Sequence, residues 1–259
     1  METTDKKKCT AIVLSAGQGK RMGASVQKQY IELNGKPIIY YSLKAFQDSE
    51  IIDDIVLVVG TGQESYVQRE IVGKYQLTKV RMVVPGGKER YDSVWQGLKT
   101  LRAETKDGSE SSENREYVFI HDGARPFVDE KILRRGYEMV EKYRACAAGM
   151  PSKDTVKLVD EDNFAENTPD RKYVWTVQTP QIFDKSLVTE AYSRLMRAEY
   201  KNVTDDAMVV EKILDMPVKL FEGSYENIKI TTPEDLDIAN IFFMRRNKGK
   251  DKGRAGKNL

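Results

Sequence analysis

The segment Leu14–Gly23, LSAGQGKRMG, sets three glycines and two cations directly after the apolar run AIVL. Such a loop suits phosphate, because glycine backbones can turn their N–H groups onto oxygens while nearby cations balance the charge. Its spacing excludes two common phosphate loops. Gly17, Gly19 and Gly23 are one residue too wide for a dinucleotide fingerprint, and no acid closes a second strand about twenty residues on. Lys20 is followed by Arg21 rather than Ser or Thr, so a P-loop fails as well. Two readings remain: a backbone that wraps a triphosphate, flanked by Lys20, Arg21 and Lys28, or a tight strand-to-helix turn with solvated cations.

Other segments carry polar groups that could converge on the same place. HDGARP, His121–Pro126, follows an apolar run, and ligands of open α/β sheets bind beyond the carboxyl ends of the strands. Asp122 could hold Mg²⁺, which takes oxygen ligands and bridges phosphates, and Arg125 could pair with an anion; a helix N-cap is the alternative for Asp122. His121, the only histidine, reads as hydrogen-bonded structure, since attack by an already ionised nucleophile needs no base. In PGGKERYDSV, Pro85–Val94, the Gly86–Gly87 pair lets backbone approach a flat ligand, and Arg90 and Ser93 could reach a base or a phosphate; a plain helix start is the alternative. NVTDDA and ITTPEDL read as capped helix starts, with Thr204, Asp205 and Asp206 in the first and Pro233 at the first helical position of the second. Lys229, alternating with Ile228 and Ile230 in a short strand, faces either the surface or a crevice.

The elements that must position these residues are short β-branched runs, AIVLS, DIVLVVG, VRMVVP and YVFIHD, alternating with segments of helical period. That alternation predicts an α/β fold around a mostly parallel sheet. Pro37–Phe46 reads as a helix. Val94, Leu98 and Leu101 form one helical stripe and Ile132, Leu133, Gly136, Tyr137 and Val140 another. Thr105–Glu116 is polar and Ser/Glu-rich, a surface loop. Between residues 151 and 181 the rhythm breaks into hairpin-like strands, TVKLV and YVWTV, predicting a protruding β arm. An arm exposing Val174, Trp175 and Val177 needs cover, and a second copy of the chain is the simplest, giving a homodimer. One domain over 1–243 is expected, with a frayed basic tail over 244–259.

Composition narrows the class. Among 259 residues, 42 Lys and Arg face 40 Asp and Glu, a net charge of +2 that supplies no global field for nucleic acid. Two cysteines, Cys9 and Cys146, make no disulfide framework, and no run approaches the ~20 apolar residues of a membrane span. A cytoplasmic protein without membrane or nucleic-acid partners is expected.

In order along the chain, AGQGKRMG, KQY, GGKERYDSV, HDGARP, DTVK, VWTVQTPQIF, VTDDA and NIKITTPEDL resemble the 2-C-methyl-D-erythritol 4-phosphate cytidylyltransferases of the non-mevalonate isoprenoid pathway. The resemblance spans about Thr10–Phe243 and implies a nucleotide-diphospho-sugar-transferase-like three-layer sandwich with a dimerising β arm. It further implies in-line attack of the acceptor's phosphate on the α-phosphorus of CTP, with pyrophosphate leaving. Arg21 and Lys28 would neutralise the α-phosphate. Ala16, Gly17 and Gly19 would line the triphosphate, with Gly87 and Ser93 towards the cytosine or its ribose and Arg90 also among the nucleotide-binding residues. Asp122 would lie near Mg²⁺ and the acceptor's hydroxyls, and Arg125 would hold that segment. Thr155, Lys229, Arg171 and the Thr204 of VTDDA would serve the acceptor, Arg171 coming from the partner's arm. Three departures stand out: Gln27 for the usual proline, Ser15 where alanine is common, and Gly123 where alanine is frequent. A ribitol 5-phosphate cytidylyltransferase and a non-catalytic nucleotide-binding regulator are the competing readings.

Overall fold

The computed structural model describes residues 6–17, 28–101, 115–198 and 202–255. Strand β1 (Lys8–Ser15) leads into the small hairpin β2 (Glu32–Leu33) and β3 (Lys36–Pro37), then helix α1 (Ile38–Asp48). Next come β4 (Asp54–Val59), α2 (Glu64–Val67), which continues as a wider turn of helix to Gly73, β5 (Val80–Pro85) and α3 (Arg90–Leu101). They are followed by β6 (Glu116–Asp122), α4 (Glu130–Tyr143) and β7 (Ala145–Pro151). The chain then makes a second hairpin, β8 (Leu158–Val159) and β9 (Ala165–Asn167), before β10 (Trp175–Asp184), α5 (Lys185–Arg197), α6 (Asp206–Leu214), β11 (Lys219–Glu222) and α7 (Pro233–Ala255).

Seven strands form the central sheet in the order β11-β7-β10-β6-β1-β4-β5. All neighbours are parallel except β10, which runs antiparallel to both β6 and β7. The mostly parallel sheet expected from the strand–helix alternation is therefore present, with helices on both faces.

Alternation along the strands sorts the side chains between the two faces. Cys9, Ala11 and Val13 of β1, Ile55, Leu57 and Val59 of β4, and Tyr117 and Phe119 of β6 pack with α1 and α4 in one core. Ile12, Val56, Val58, Val118 and Ile120 join α3, α5 and α6 in the other. Val94, Leu98 and Leu101 face the second core, and Ile132, Leu133 and Val140 the first, as their helical spacing requires. A third, smaller cluster of Leu33, Ile38, Phe127, Ile230 and Ala239 ties α7 to the β2–β3 hairpin.

The arm differs from expectation in its pairing. Leu158–Val159 pairs with Ala165–Asn167, whereas Trp175–Val177 joins β7 of the central sheet. The protrusion is thus residues 152–174 rather than 151–181, because β10 runs on into the buried Ile182 and Phe183 and is held by that core. Val177 is exposed but Val174 and Trp175 are half-buried. Larger exposed apolar groups on the arm are Leu158, Val159, Phe164 and Tyr173. The tail differs too. Helix α7 runs to Ala255, past the boundary drawn at Phe243. Arg246 anchors it there, donating to Glu226 at 3.1 Å and the Phe127 carbonyl at 3.2 Å and lying 5.0 Å from the Phe127 ring centroid. The expected surface loop, Thr105–Glu116, lies outside the described residues up to position 114, and Glu116 opens β6.

Candidate active site

Parity along β6 decides where its last residue points. Val118 and Ile120 face the core of α3, α5 and α6, so Asp122 leaves the strand on that same side, at the carboxyl end of the sheet. The glycine segment emerges beside it from β1, and the GGKER turn leads from β5 into α3. Together they enclose a cleft of about 190 Å³, lined by Leu14–Gly17, Gln29, Gly87–Arg90, Ser93, Asp122, Ala124 and Lys229.

A line of alternating charges crosses this cleft. Asp122 Oδ2 accepts from Lys229 Nζ at 2.8 Å and Oδ1 from Arg90 Nε at 3.1 Å. Arg90 spends its other two nitrogens on Asp206, Nη1 and Nη2 each donating at 2.8 Å. Burial works against ionisation of Asp122, but Arg90, Lys229 and Arg125 outweigh it and hold the carboxyl well below the usual carboxylate range. Arg90 is likewise kept protonated: Asp206 and Asp122 overcome its burial. The Lys229 side chain remains 37% exposed, a cation open to an incoming anion.

Around this line, backbone hydrogen bonds fix the loops. Gln29 Nε2 donates to the carbonyls of Ser15 at 2.5 Å and Gly17 at 3.2 Å, holding the start of the glycine segment. Gly86 is required by close approach: a Cβ there would meet Ala16 and sit 2.8 Å from Ser93 Oγ. The Gly87 N–H donates to Ser93 Oγ at 3.1 Å, so that hydroxyl shapes the turn. Arg125 Nη1 donates to the Asn227 carbonyl at 2.8 Å, and the Ile230 N–H donates to the Ala124 carbonyl at 2.9 Å. These two bonds bring the Lys229 segment to the cleft without a strand: among the described residues 227–231 pairs with no sheet, which corrects the expected short strand. Position 123 also fits its residue, since a Cβ on Gly123 would press on Ile39 and lie 2.9 Å from the Leu14 carbonyl.

His121 is fully buried below the site. Its Nε2–H donates to the Arg125 carbonyl at 3.2 Å, and its Nδ1 accepts from the Thr179 hydroxyl at 3.0 Å, which in turn accepts from the Asp122 N–H. Burial pushes its pKa down to about 4, so the ring is neutral and structural. In the unfolded chain it would titrate near 6.5. The folded state therefore keeps its full stability above about pH 6.5 and loses up to about 3 kcal/mol as pH falls towards 4. Asp122 acts only below that window, because its stabilisation is lost under the ordinary carboxylate pKa. Urea unfolding at pH 7.5 and 5 should show the loss, and His121→Gln should be less stable at pH 7.5 but nearly flat between the two. An unchanged slope in the variant would contradict a neutral buried His121.

Residues 9–246 match the family described as IspD, 2-C-methyl-D-erythritol 4-phosphate cytidylyltransferase. The chain belongs to this family. The Lachnospira eligens protein bearing that name is 50% identical over 235 residues, covering 90% of this chain and 98% of its own length. The Lachnoclostridium phytofermentans protein of the same name is 48% identical, covering 91% and 96%. Among solved structures, the 4-diphosphocytidyl-2C-methyl-D-erythritol synthase of Anaerococcus prevotii superposes with a TM-score of 0.77 at 35% identity, covering 93% of this chain and 98% of that one. The cytidylyltransferase fold expected from the ordered motifs is thus the fold of this chain.

Within that family frame, the structure sorts the residues singled out from sequence. Ala16, Gly17, Gly87, Arg90, Ser93, Asp122 and Lys229 line one cleft, with Arg125 clamping it from behind. Arg90, read as able to reach a base or a phosphate, lines the cleft with its guanidinium paired to two carboxylates, Asp122 and Asp206. Thr155, Arg171 and Thr204 do not line the cleft of their own chain. Thr155 and Arg171 lie on the arm, where Arg171 Nη1 donates to the Lys153 carbonyl, and Thr204 is exposed with Met208 Sδ as its partner at 3.4 Å. Gly19, Lys20, Arg21, Gly23, Gln27 and the side chain of Lys28 lie outside the described residues. Sequence reading missed Gln29 and Asp206. Asp206 stood in a pair of acids read as a cap, and only Asp205 caps, accepting from the Met208 N–H at 2.9 Å. Among the described residues, no group of three or more His, Cys, Asp or Glu could hold a metal, and no helix is long and apolar enough to cross a membrane.

Proposed function

We propose that the chain transfers the CMP unit of CTP to the phosphate of 2-C-methyl-D-erythritol 4-phosphate. A phosphate oxygen of the acceptor forms a bond to the α-phosphorus, the bond from that phosphorus to the bridging oxygen of the β-phosphate breaks, and pyrophosphate departs with the electron pair. The observation that carries this reading is the meeting, at one end of the sheet, of Ala16 and Gly17, which open the glycine segment, with an ionised Asp122 and a half-open Lys229. The nucleophile is ionised at neutral pH, so no general base is needed, in keeping with a buried neutral His121. What remains for the protein is orientation and electrostatic stabilisation, the larger share of catalysis in phosphoryl transfers.

In this scheme Ala16, Gly17 and Gly19 line the triphosphate, and Arg21 and Lys28 neutralise charge growing on the α-phosphate. Gly87 and Ser93 bound the nucleoside side, and Lys229 receives the acceptor's phosphate. A divalent ion, Mg²⁺ by its chemistry, would neutralise triphosphate charge when bound. The donor set fits such an ion only through the triphosphate's own oxygens plus Asp122, since Mg²⁺ is commonly held by one or two carboxylates and substrate phosphates. The arm's exposed Leu158, Val159, Phe164 and Tyr173 support a homodimer, with Arg171 and Thr155 serving the acceptor in the partner's cleft. A cytoplasmic setting suits these substrates.

Pyrophosphate release tests the reading directly. With CTP and Mg²⁺, release is expected with methylerythritol 4-phosphate and not with ribitol 5-phosphate or without acceptor. Release only with ribitol 5-phosphate would overturn the acceptor assignment, and release with none would overturn the transferase reading.

A further inference from the structure

Asp206 opens helix α6 yet takes no part in capping it. Asp205 Oδ1 accepts from the Met208 N–H, and Gln181 Oε1 accepts from the Ala207 N–H at 2.7 Å. The Asp206 carboxylate, fully buried, is spent elsewhere: both oxygens receive the Arg90 fork, and Oδ1 also accepts from the Tyr192 hydroxyl at 2.5 Å. Burying a charge is costly unless it is paired, and here the pairing is complete. Two carboxylates, Asp122 and Asp206, balance two cations, Arg90 and Lys229, in an unbroken line from the packed face of α5 to the open cleft.

The geometry of the line matters more than its charge. A bidentate fork fixes the plane of a guanidinium, and with Nη1 and Nη2 turned to Asp206 the one bond that Arg90 makes to Asp122 comes from Nε. That single bond takes Oδ1 and leaves Oδ2 for Lys229. We propose that Asp206, backed by Tyr192, is a positioning residue for the transfer reaction: by fixing the plane of Arg90 it limits Asp122 to one arginine bond and keeps Lys229 seated at the cleft. Without it, Arg90 is free to swing its fork onto both oxygens of Asp122 and displace Lys229. The inference rests on the reading of the cleft as the site of CMP transfer.

The test measures pyrophosphate release for the wild type, Asp206→Asn, Tyr192→Phe, Asp122→Asn and the doubles with Asp122→Asn. Asp206→Asn should lower kcat/KM for the acceptor by about 30-fold, the order of one lost charge-assisted bond. The loss should come through a raised acceptor KM, with the KM for CTP moving less than about threefold. In the Asp122→Asn background the same substitution should cost less than about threefold, because its route of action is already gone. Tyr192→Phe should move the same way by about fivefold, and it carries the same comparison should Asp206→Asn fail to fold. Equal costs in both backgrounds, or a loss in kcat alone with every KM unchanged, would overturn the inference, since either is what fewer folded molecules would give. An active wild type with both variants at wild-type kinetics would overturn it too and spare the functional reading. A wild type inactive with every acceptor would remove the functional reading and the inference together.

Discussion

Replacing Lys229 with alanine is expected to lower kcat/KM for the acceptor by about a thousandfold while leaving the chain folded. The size follows from what the residue offers. Its ammonium is preorganised by Asp122 Oδ2 at 2.8 Å and by the two bonds that pin its segment, Arg125 to the Asn227 carbonyl and Ile230 to the Ala124 carbonyl. Losing one preorganised donor to developing charge commonly costs about 10²–10³ in rate, and here the acceptor's ground-state phosphate loses a partner as well. The chain should stay folded, because the Lys229 side chain is 37% exposed and the buried Asp122 carboxylate keeps Arg90 as a partner when Lys229 is gone. Steady-state kinetics with a melting curve on the same sample checks both parts. Turnover within about threefold of the wild type would remove Lys229 from the chemistry.

The second large effect concerns the arm. Arg171→Ala and Lys229→Ala should each be nearly inactive alone, yet a mixture allowed to exchange subunits should recover about a quarter of wild-type activity. The fraction is statistical: half of the dimers are mixed, and each mixed dimer has one site with an intact Lys229 facing an intact partner arm. The physical basis is where Arg171 sits. It lies beside Pro151, Ser152, Lys153, Asp170 and Lys172 at the base of the protrusion, outside the cleft of its own chain, on an arm whose apolar groups lack cover. No recovery despite verified exchange would confine each site to one chain.

Much of this was legible in the residues themselves. The β-branched runs became strands β1, β4, β5 and β6 because their apolar side chains fill both layers, and Asp122 could be placed because a polar residue ending such a strand must face the crevice. For Lys229 the alternation leaves surface and crevice equally open, and the structure puts it at the cleft but not in a strand. Ile-Lys-Ile alternates like a strand, yet it pairs with none of the described strands, and two hydrogen bonds to loops do the holding. TVKLV and YVWTV resemble a hairpin locally, but the second belongs to a strand whose continuation is buried, and the core decided its partner. Asp206 was beyond local reading, since its partner Arg90 is 116 positions away and a run of two acids at a helix start looks like capping alone. The tail showed no apolar stripe, and its helix is extended by Arg246 finding Glu226 and Phe127, a tertiary contact that composition does not record.

The central claim is that this cleft joins CMP to the phosphate of methylerythritol 4-phosphate. Phosphorus NMR of the reaction with CTP, Mg²⁺ and that acceptor tests it most directly. The account predicts two mutually coupled diphosphate resonances from the new product, rising in step with one equivalent of pyrophosphate as the acceptor's monophosphate signal disappears. Consumption of CTP to CMP or CDP with the acceptor's signal intact would contradict it.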